Sequence, residues 1–342
     1  MSKILIALSG GVDSAVVAEK LKNDGHKVEG LFLKMSPLHE NGEEAAKSTA
    51  DALGIPLHIE NATDLFSSVV ISDFLNEYLS GRTPNPCIIC NPLVKFKLLY
   101  DFAVKNGLEK IATGHWANLK EENGKNYVSV ARNRKKDQSY MLYRLPKEIL
   151  DMLIFPLGNI SDKAEVREIA RNASLPNFAS PDSQEICFIE GDYSEYIKDR
   201  CKNIKSGFFI GPEGENLGRH KGIINYTVGQ RKGLGVSYNS PLYVKSINAE
   251  NGNVYLCRSG EEYFTHLYLS KVFFPYAEEN AFTASVKVRY SASGEEAKVT
   301  VLENGDAEVV FSRPVRAACP GQSAVFYRGD TVIGGGIILS SK

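Results

Sequence analysis

The sequence predicts an α/β protein that begins with a doubly wound parallel sheet and continues into a small basic connector and a C-terminal β-barrel. Three observations support this prediction. The first half alternates short apolar runs with helical apolar spacing, a glycine-rich turn joins its first strand to its first helix, and beyond about Tyr193 only glycine-rich turns and short alternating runs remain. At 342 residues the chain is longer than a single core usually supports. We therefore expect three domains, over residues 1–193, 194–265 and 266–342.

The first half supplies the predicted parallel sheet. Apolar runs predict strands at 3–8, 27–33, 55–59 and 111–113, and helical spacing predicts helices at 14–23, at 43–53 and in a segment ending near Gly107. Gly25 and Gly54 follow the first two helices, where a C-terminal cap favours glycine. Asn123-Gly124 lies between two alternating segments and predicts a hairpin that decorates this domain.

The second half supplies the predicted barrel. Alternating runs predict strands at 282–290, 297–302, 307–311, 323–327 and 331–339. Turns are expected at Asn304-Gly305 and at Arg328-Gly329-Asp330. About 80 residues of such strands favour a small antiparallel barrel, because closure removes exposed sheet edges.

Composition excludes some classes of protein and leaves others open. No apolar run approaches the roughly 20 residues of a membrane span, so a membrane role is not expected. The six cysteines are unevenly spaced, which favours working thiols in a reducing compartment over a disulfide scaffold. Residues 201–240 carry six Lys or Arg against two Glu. This segment is either a phosphate-binding surface or a solvated basic face.

The turn after the first strand carries the clearest chemical signal. Ser9-Gly10-Gly11-Val12-Asp13-Ser14 opens the first helix, where glycines allow close approach and backbone N–H groups favour a phosphate. Asp13 could cap the helix or hold a Mg²⁺ ion bound to phosphates. The Walker Gly-Lys-Ser/Thr sequence is absent, as is the dinucleotide Gly-x-Gly-x-x-Gly spacing. The alternative is a plain tight turn.

This turn resembles that of the PP-loop ATP pyrophosphatases, which have an adenine nucleotide alpha hydrolase-like fold. The resemblance implies that the loop holds the pyrophosphate of ATP, with Mg²⁺, while AMP is transferred. In such a sheet the ligand lies at the carboxyl ends of the strands. The expected ATP-binding residues are Ala7, Leu8, Ser9, Gly10, Gly11, Val12, Asp13, Ser14, Leu33 and Gly114.

A second segment carries two cysteines between prolines and lysines. Cys87 and Cys90 precede Lys95 and Lys97 with no acid immediately beside them, and cationic neighbours lower the pKa of a thiol and increase its nucleophilicity. A metal half-site or a redox disulfide is also conceivable, although no second Cys-x-x-Cys or His pair completes a zinc site. Cys187 is either a third functional thiol or a small core residue.

Together these residues make the chain similar to the tRNA-specific 2-thiouridylase family over nearly its whole length. The supporting segments are Ala112-Thr113-Gly114-His115, Lys136-Asp137-Gln138-Ser139-Tyr140, Asn225-Tyr226-Thr227-Val228-Gly229-Gln230-Arg231-Lys232-Gly233-Leu234-Gly235, Arg289-Tyr290 and Pro320-Gly321-Gln322-Ser323-Ala324-Val325-Phe326-Tyr327. The resemblance implies that the O2 atom of the wobble uridine of tRNA attacks the α-phosphate of ATP. Sulfur then displaces AMP and leaves 2-thiouridine.

The resemblance also implies a role for each matching residue. Cys187 would carry a persulfide, and Cys90 would act as the nucleophile and close a transient disulfide with Cys187. Asn85, Pro86 and Cys87 would face the target base. The expected tRNA-binding residues are His115, Lys136, Asp137, Gln138, Arg289, Tyr290 and Gln322.

One position departs from the family pattern. Well-known members carry an Asp, a general acid or base, where this chain has Cys87, so Cys87 could act as the base or another group could replace it. Alternatively, Cys87, Cys90 and Cys187 together could hold an iron–sulfur cluster of the [4Fe-4S] type.

Two other classes of function remain open from the sequence. They are a PP-loop synthetase that acts on a small molecule, and a noncatalytic tRNA-binding or sulfur-carrier protein. The resemblance further implies a cytoplasmic location, a cysteine desulfurase or persulfide carrier as sulfur donor, and the tRNAs for Lys, Glu and Gln as substrates. A monomer is expected.

Overall fold

The computed structural model describes residues 1–176, 178 and 186–342. Its α-helices are α1 (Val12–Asn23), α2 (Glu40–Leu53), α3 (Thr63–Phe66), α4 (Ser72–Leu79), α5 (Pro86–Cys90), α6 (Phe96–Lys105), α7 (Lys147–Met152), α8 (Lys163–Asn172) and α9 (Tyr193–Arg200). Its strands are β1 (Lys3–Ala7), β2 (Lys27–Lys34), β3 (Leu57–Asn61), β4 (Lys110–Ala112), β5 (Asn118–Glu122), β6 (Lys125–Ser129), β7 (Leu153–Ile154), β8 (Phe208–Ile210), β9 (Asn216–Arg219), β10 (Leu242–Ile247), β11 (Val254–Arg258), β12 (Tyr263–Phe273), β13 (Ala281–Lys287), β14 (Glu295–Val301), β15 (Ala307–Arg316), β16 (Ser323–Arg328) and β17 (Thr331–Ser341).

A five-stranded parallel sheet of order β3-β2-β1-β4-β7 forms the first domain. The chain moves outward from β1 through β2 to β3 and then returns to the other side of β1 with β4, so the doubly wound prediction is confirmed. Ile4, Leu5 and Ile6 in β1 are almost completely buried because helices cover both faces of the sheet. The order reverses between β1 and β4, and a ligand crevice is expected outside their carboxyl ends.

The helix and strand boundaries differ from the predicted ones by a few residues. Helix α1 begins two residues earlier than predicted, at Val12, and α2 begins at Glu40. Gly54 does cap α2, in the left-handed conformation with φ of 62°. Strand β3 is shifted towards the C-terminus and excludes residues 55 and 56, because the Ile55 N–H still donates to the Ala50 carbonyl at the end of α2, at 3.0 Å.

The connector contains helix α9 and a four-stranded sheet of order β10-β11-β8-β9. A compact apolar cluster lies inside it, and Val244 and Val254 at its centre are fully buried. The six basic side chains of residues 201–240 are all exposed: Lys202, Lys205, Arg219, Lys221, Arg231 and Lys232.

The barrel is closed by six antiparallel strands in the order β12-β15-β14-β13-β16-β17, and β17 pairs back onto β12. The five predicted barrel strands are present, but the sequence reasoning missed β12, the strand that closes the barrel. Strand β12 begins at Tyr263 and runs to Phe273.

The predicted hairpin is formed by β5 and β6, with Asn123 and Gly124 at its turn in positive φ. It lies between β4 and β7 in the chain but attaches to the barrel, where Thr331 at the start of β17 pairs with Ser129 at the end of β6. The hairpin therefore links the first domain to the barrel. Within the described part of the chain, no helix combines the length and apolar character needed to cross a membrane.

Candidate active site

The phosphate loop is already ordered by its own serines. The Ser14 hydroxyl donates to the Gly11 carbonyl at 2.9 Å and accepts from the Ser9 N–H at 3.2 Å. The Gly11 N–H points at the Ser9 hydroxyl at 3.4 Å. Gly11 precedes α1 without any side chain capping the helix, so the first N–H groups of α1 remain available to an anion.

Two glycines allow this loop to pack closely against its surroundings. Gly10 has φ of +83°, and a Cβ atom there would lie 2.5 Å from the Gly42 carbonyl oxygen. A Cβ atom on Gly114, just beyond β4, would lie 2.8 Å from the Ser14 backbone nitrogen. The predicted meeting of the segments after β1 and β4 is therefore confirmed.

Asp13 does not cap helix α1, which corrects one of the two roles considered for it. It lies inside the helix, where one carboxylate oxygen accepts from Lys163 Nζ at 2.6 Å and the other from Trp116 Nε1 at 3.3 Å. The Lys163 side chain is only 13% exposed. Lys163 is a site residue that the sequence reasoning missed, because no motif links the first residue of α8 to position 13.

The larger apolar side chains among the expected ATP-binding residues belong to the core. Leu8 and Leu33 are 2% and 7% exposed, and Val12 is 4% exposed. Any contact of these residues with a nucleotide would therefore use backbone atoms, and that contact stays a prediction.

The paired cysteines lie at the same edge of the sheet as the phosphate loop. Asn85 caps the short helix α5 by accepting the Cys87 N–H at 3.2 Å, and Pro86 occupies the first helical position. Cys87 is exposed, whereas Cys90 is buried with its sulfur 4.0 Å from the sulfur of Met35. Met35 follows directly after β2, so it places Cys90 beside the carboxyl ends of the parallel strands.

Burial controls the ionisation of Cys90 more strongly than the neighbouring cation does. It raises the pKa of the Cys90 thiol to about 11, and the positive charge of Lys95 only partly opposes this. The sequence-based expectation of a lowered pKa is therefore wrong for Cys90 in this conformation. Lys97 does not contribute, because its ammonium pairs with Asp101 at 2.6 Å.

Cys187 is exposed, and all three cysteines are free thiols. Desolvation by surrounding protein atoms raises the pKa of the Cys187 thiol, although it keeps access to solvent. Negative charge on Cys87 or Cys187 would raise the pKa of Cys90 further, so the three sulfurs share one neighbourhood. Over residues 1–176, 178 and 186–342, no group of three or more His, Cys, Asp or Glu side chains is arranged to hold a metal ion. The thiols therefore do not form a ready ligand set for a cluster.

Two histidines border this neighbourhood and are neutral near pH 7. The Nδ1 atom of His115 and the Thr113 hydroxyl form a hydrogen bond at 2.8 Å. Burial, together with the positive charge of Lys95, holds the pKa of His115 well below its ordinary value. Burial also lowers the pKa of His39, which hydrogen-bonds backbone atoms of Leu33 and Cys187. The sequence reasoning missed His39, because nothing in the local pattern separates it from a surface histidine.

The predicted tRNA-binding segment 136–138 is built around a buried acid. Asp137 is 6% exposed, and its carboxylate accepts from the Ala131 N–H and from the Ser139 hydroxyl, at 2.9 Å and 2.8 Å. The buried carboxylate thus shapes the backbone around Lys136 and Gln138, and the predicted contact of Asp137 with tRNA stays a prediction. The Gln138 side chain accepts the Trp116 N–H at 2.9 Å.

The barrel residues predicted to bind tRNA lie at domain junctions. Arg289 donates to the carbonyls of Ala317 and Val228, at 3.1 Å and 2.7 Å, and so ties the barrel to the connector. Tyr290 is 38% exposed. Gln322 donates to carbonyl oxygens immediately before the cysteine helix. Contact of any of these residues with RNA stays a prediction.

Comparison with family profiles divides the chain into three matches. Residues 2–191 match a tRNA methyl transferase HUP domain, residues 194–258 a tRNA methyl transferase PRC-barrel domain, and residues 264–338 an aminomethyltransferase beta-barrel domain. Among solved structures, the U34-tRNA thiolase NcsA from Methanococcus maripaludis with its [4Fe-4S] cluster covers 58% of this chain and 65% of its own, at 19% identity and a TM-score of 0.38. No function follows from so distant a similarity.

Curated relatives are much more similar. The tRNA-specific 2-thiouridylase MnmA of Acetivibrio thermocellus is 42% identical over 98% of this chain and 99% of its own length. MnmA 1 of Clostridium tetani is 40% identical over 99% of this chain and 97% of its own. With the HUP-domain match over residues 2–191 and the phosphate loop and thiols at one sheet edge, these relatives show that the chain belongs to the tRNA-specific 2-thiouridylase family.

Proposed function

We propose that this protein uses ATP to convert the wobble uridine of tRNA to 2-thiouridine. The observation that carries the proposal is the position of Cys90 beside Met35, at the sheet edge that also presents the Ser9–Ser14 loop. A nucleotide held by that loop and a sulfur nucleophile could then reach the same base. The relatives named above are 2-thiouridylases, which supports this reaction over other PP-loop chemistry.

The first stage forms an adenylated base. The uridine O2 attacks the α-phosphate of ATP, a new P–O bond forms, and pyrophosphate leaves with the electrons of the broken bond. Backbone N–H groups at the start of α1 and the hydroxyls of Ser9 and Ser14 suit the departing phosphates. Mg²⁺ bound to those phosphates would supply further charge neutralisation, with Asp13 as the expected protein partner.

The second stage transfers sulfur. The terminal sulfur of a Cys187 persulfide attacks C2, and AMP leaves with the former O2 atom. The Cys90 thiolate then attacks the Cys187 sulfur, which breaks the S–S bond, releases 2-thiouridine and leaves a Cys90–Cys187 disulfide. A thiol reductant and a new persulfide donor must restore the pair. We expect a cysteine desulfurase or a persulfide carrier protein as the donor.

Cys87 is the proposed proton acceptor, in the position where the family usually has an Asp. It is exposed at the start of α5 and lies near the other two thiols. If it takes a proton, Cys87→Asp keeps sulfuration while Cys87→Ser loses it. A cluster held by Cys87, Cys90 and Cys187 gains no support from the geometry, because no three-ligand group is preformed among the described residues.

The connector is the proposed surface for the RNA backbone. The six exposed cations of residues 201–240 form no ion pair with any residue that the structure describes, whereas Lys198 and Arg258 of the same connector are paired with carboxylates, so these six can neutralise phosphates. We further propose a monomer that acts in the cytoplasm on the tRNAs for Lys, Glu and Gln.

The deciding experiment is anaerobic turnover of unmodified tRNA with ATP, Mg²⁺ and a persulfide donor, with iron content recorded. We expect iron-free wild type to form 2-thiouridine and Cys90→Ser and Cys187→Ser to abolish it. Cys201→Ser, which changes a half-buried thiol outside the site, is the matched control and should keep activity. Activity that requires bound iron and all three thiols would favour the cluster route. Pyrophosphate release without RNA would favour a small-molecule synthetase.

A further inference from the structure

The barrel holds the segment that leads into the cysteine helix. The Thr83 N–H donates to the Pro320 carbonyl at 2.9 Å. In return, the Gln322 side-chain amide donates to the carbonyls of Thr83 and Pro84, at 2.8 Å and 3.2 Å. Asn85, which caps α5, follows immediately. Residues 320–322 therefore bind both the donor and the acceptor groups of the residues just before the cap.

The contact between Gly321 and Thr83 is too close to accommodate a side chain at position 321. Gly321 has φ of +91°, and a Cβ atom there would lie 2.9 Å from the Thr83 nitrogen and 3.0 Å from its carbonyl carbon. Backbone thus packs on backbone across the junction, so a displacement of residues 320–322 must displace Thr83 as well.

The connector holds the same segment from another side. The hydroxyls of Thr83 and Thr227 hydrogen-bond at 3.0 Å. A Cβ atom on Gly81 would lie 2.8 Å from the Ile247 side chain. All three domains therefore meet at residues 81–84, and Arg289 fastens the barrel to the Val228 carbonyl beside Thr227.

The cysteine helix depends on how its first turn is held. Helix α5 has five residues and continues through a π-helical turn at residues 91–95 directly into α6. Its carboxyl end is therefore held by α6, and its first turn is held by the Asn85 cap, the Pro86 start and the attachment of Thr83 and Pro84. Because Cys87 lies in the first turn and Cys90 about one turn later, a displacement of that first turn moves both sulfurs relative to the cleft.

We propose that Gln322 is a positioning residue, which sets the direction of Cys87 and Cys90 through the carbonyls of Thr83 and Pro84. RNA that docks on the barrel or the connector thereby acts on the thiols without touching them. This inference deepens the proposed function and rests on it.

The test compares Gln322→Ala and Gln322→Glu with wild type. Neither variant can donate the two hydrogen bonds, and Glu keeps the size of Gln. We expect kcat for 2-thiouridine formation to fall about 10- to 100-fold, because small misplacements of reacting groups have effects of this size. The dissociation constant for tRNA, measured in parallel, separates this role from the RNA contact that the sequence predicts for Gln322, because lost positioning lowers kcat whereas a lost RNA contact raises the dissociation constant.

A barrel variant remote from the junction serves as the matched control. Ser312 lies on β15 and is exposed, and its hydroxyl donates to the Glu296 carbonyl of the neighbouring strand β14. Ser312→Ala therefore removes a hydrogen bond between barrel strands but leaves the contacts with Thr83 intact. Its kcat and tRNA affinity should equal those of wild type. The melting temperature of each variant is recorded in parallel.

Alkylation of Cys87 in the protein alone, with neither ATP nor RNA, tests positioning independently of turnover. Both Gln322 variants should change its rate relative to wild type and to Ser312→Ala, even if the wild-type protein proves inactive on tRNA. Inactivity of the wild-type protein on tRNA would contradict the proposed function but not the positioning role. Three results would overturn the positioning role: tRNA affinity weakened about tenfold with kcat intact, a loss of kcat that only parallels a lowered melting temperature, or alkylation rates unchanged in both variants.

Discussion

Opposing physical effects at single residues decide the chemistry of the site. Cys90 has Lys95 as a cationic neighbour, but it is 7% exposed, and desolvation of the thiolate outweighs the attraction. The lysines near Cys90 can be recognised in the sequence. The burial of Cys90 cannot, because it comes from the side chains packed over α5. Asp137 is a similar case: a charged residue in a promising motif that the fold turns inward.

The raised pKa of Cys90 predicts its reactivity. Below a pKa of about 11 the thiol is protonated, so the reactive thiolate increases with pH up to that value. We expect the alkylation rate of Cys90 to rise about tenfold per pH unit between about pH 7 and about pH 10. Mass spectrometry after iodoacetamide pulses measures this rate, with Cys201 as an internal reference. A rate that levels off near pH 8 would show a lowered pKa and contradict the prediction.

Asp13 and Lys163 show which site residues a sequence pattern can predict and which it cannot. The loop motif places Asp13 correctly at the start of α1, because its spacing to the strand is local. Its partner Lys163 is separated by 150 positions and becomes visible only when α8 packs on α1. The motif residues of the candidate site could thus be predicted, whereas partners that depend on tertiary packing could not.

At the scale of single elements, local periodicity predicted most of the structure. The parallel strands, α1, α2 and five barrel strands follow from apolar spacing and from glycine at helix ends. Strand β12 was missed because it lacks clean alternation: the apolar Tyr268 lies between the buried Leu267 and Leu269, and the pairing of β12 with β17 shifts register between Ser270 and Phe273. Strand β7 has two residues, too few for any periodic pattern.

Gly10 makes a prediction about the phosphate loop. Gly10→Ala puts a side chain into a left-handed conformation, at a cost of about 1–2 kcal/mol, and into contact with the Gly42 carbonyl. We expect the affinity for ATP, measured by calorimetry, to fall at least about tenfold as the loop is displaced. Gly25→Ala is the matched control, because Gly25 has φ of +82° with nothing within 4 Å. It should lower stability only. Equal ATP affinity in both variants would show that the loop tolerates displacement.

Strand β12 makes a prediction about barrel closure. Leu267 is fully buried and lies opposite Val309 of β15 and Ser341 of β17. Leu267→Ala should lower the free energy of unfolding by about 2–5 kcal/mol, as buried leucine truncations do. Chemical denaturation followed by circular dichroism measures this change. Tyr263→Ala alters a 46% exposed residue of the same strand and should cost less than about 1 kcal/mol. A similar loss in both variants would argue against closure through β12.

For the whole molecule, the near balance of 40 basic and 41 acidic residues conceals a local surface. Residues 201–240 of the connector gather exposed cations that lack ion pairs with described residues, whereas other cations, such as Lys97 and Arg313, are paired with carboxylates. The charge of the segment could be read from the sequence. That its basic side chains are exposed could be established only from the folded structure.

This surface predicts a salt dependence. Arg231→Ala combined with Lys232→Ala should reduce the slope of log affinity for tRNA against log salt concentration by about 1.5, since each lost phosphate contact contributes about 0.7–0.9. Filter binding over a series of salt concentrations measures the slope. Arg313→Ala, which removes an exposed cation already paired with Glu295, should leave it unchanged. An unchanged slope in the double variant would assign these residues to a solvated face.

The pairing of hairpin β5–β6 with β17 also constrains how the chain is made. Ser129 hydrogen-bonds to Asp330, a residue 201 positions later. At about 5–20 residues per second, a ribosome needs roughly 10–40 s to synthesise that interval. During this time the edge of β6 has no strand to pair with, although the parallel sheet next to it has already emerged in large part. The nascent protein therefore exposes an open sheet edge until synthesis reaches β17, and this interval is when a chaperone would be most useful to it.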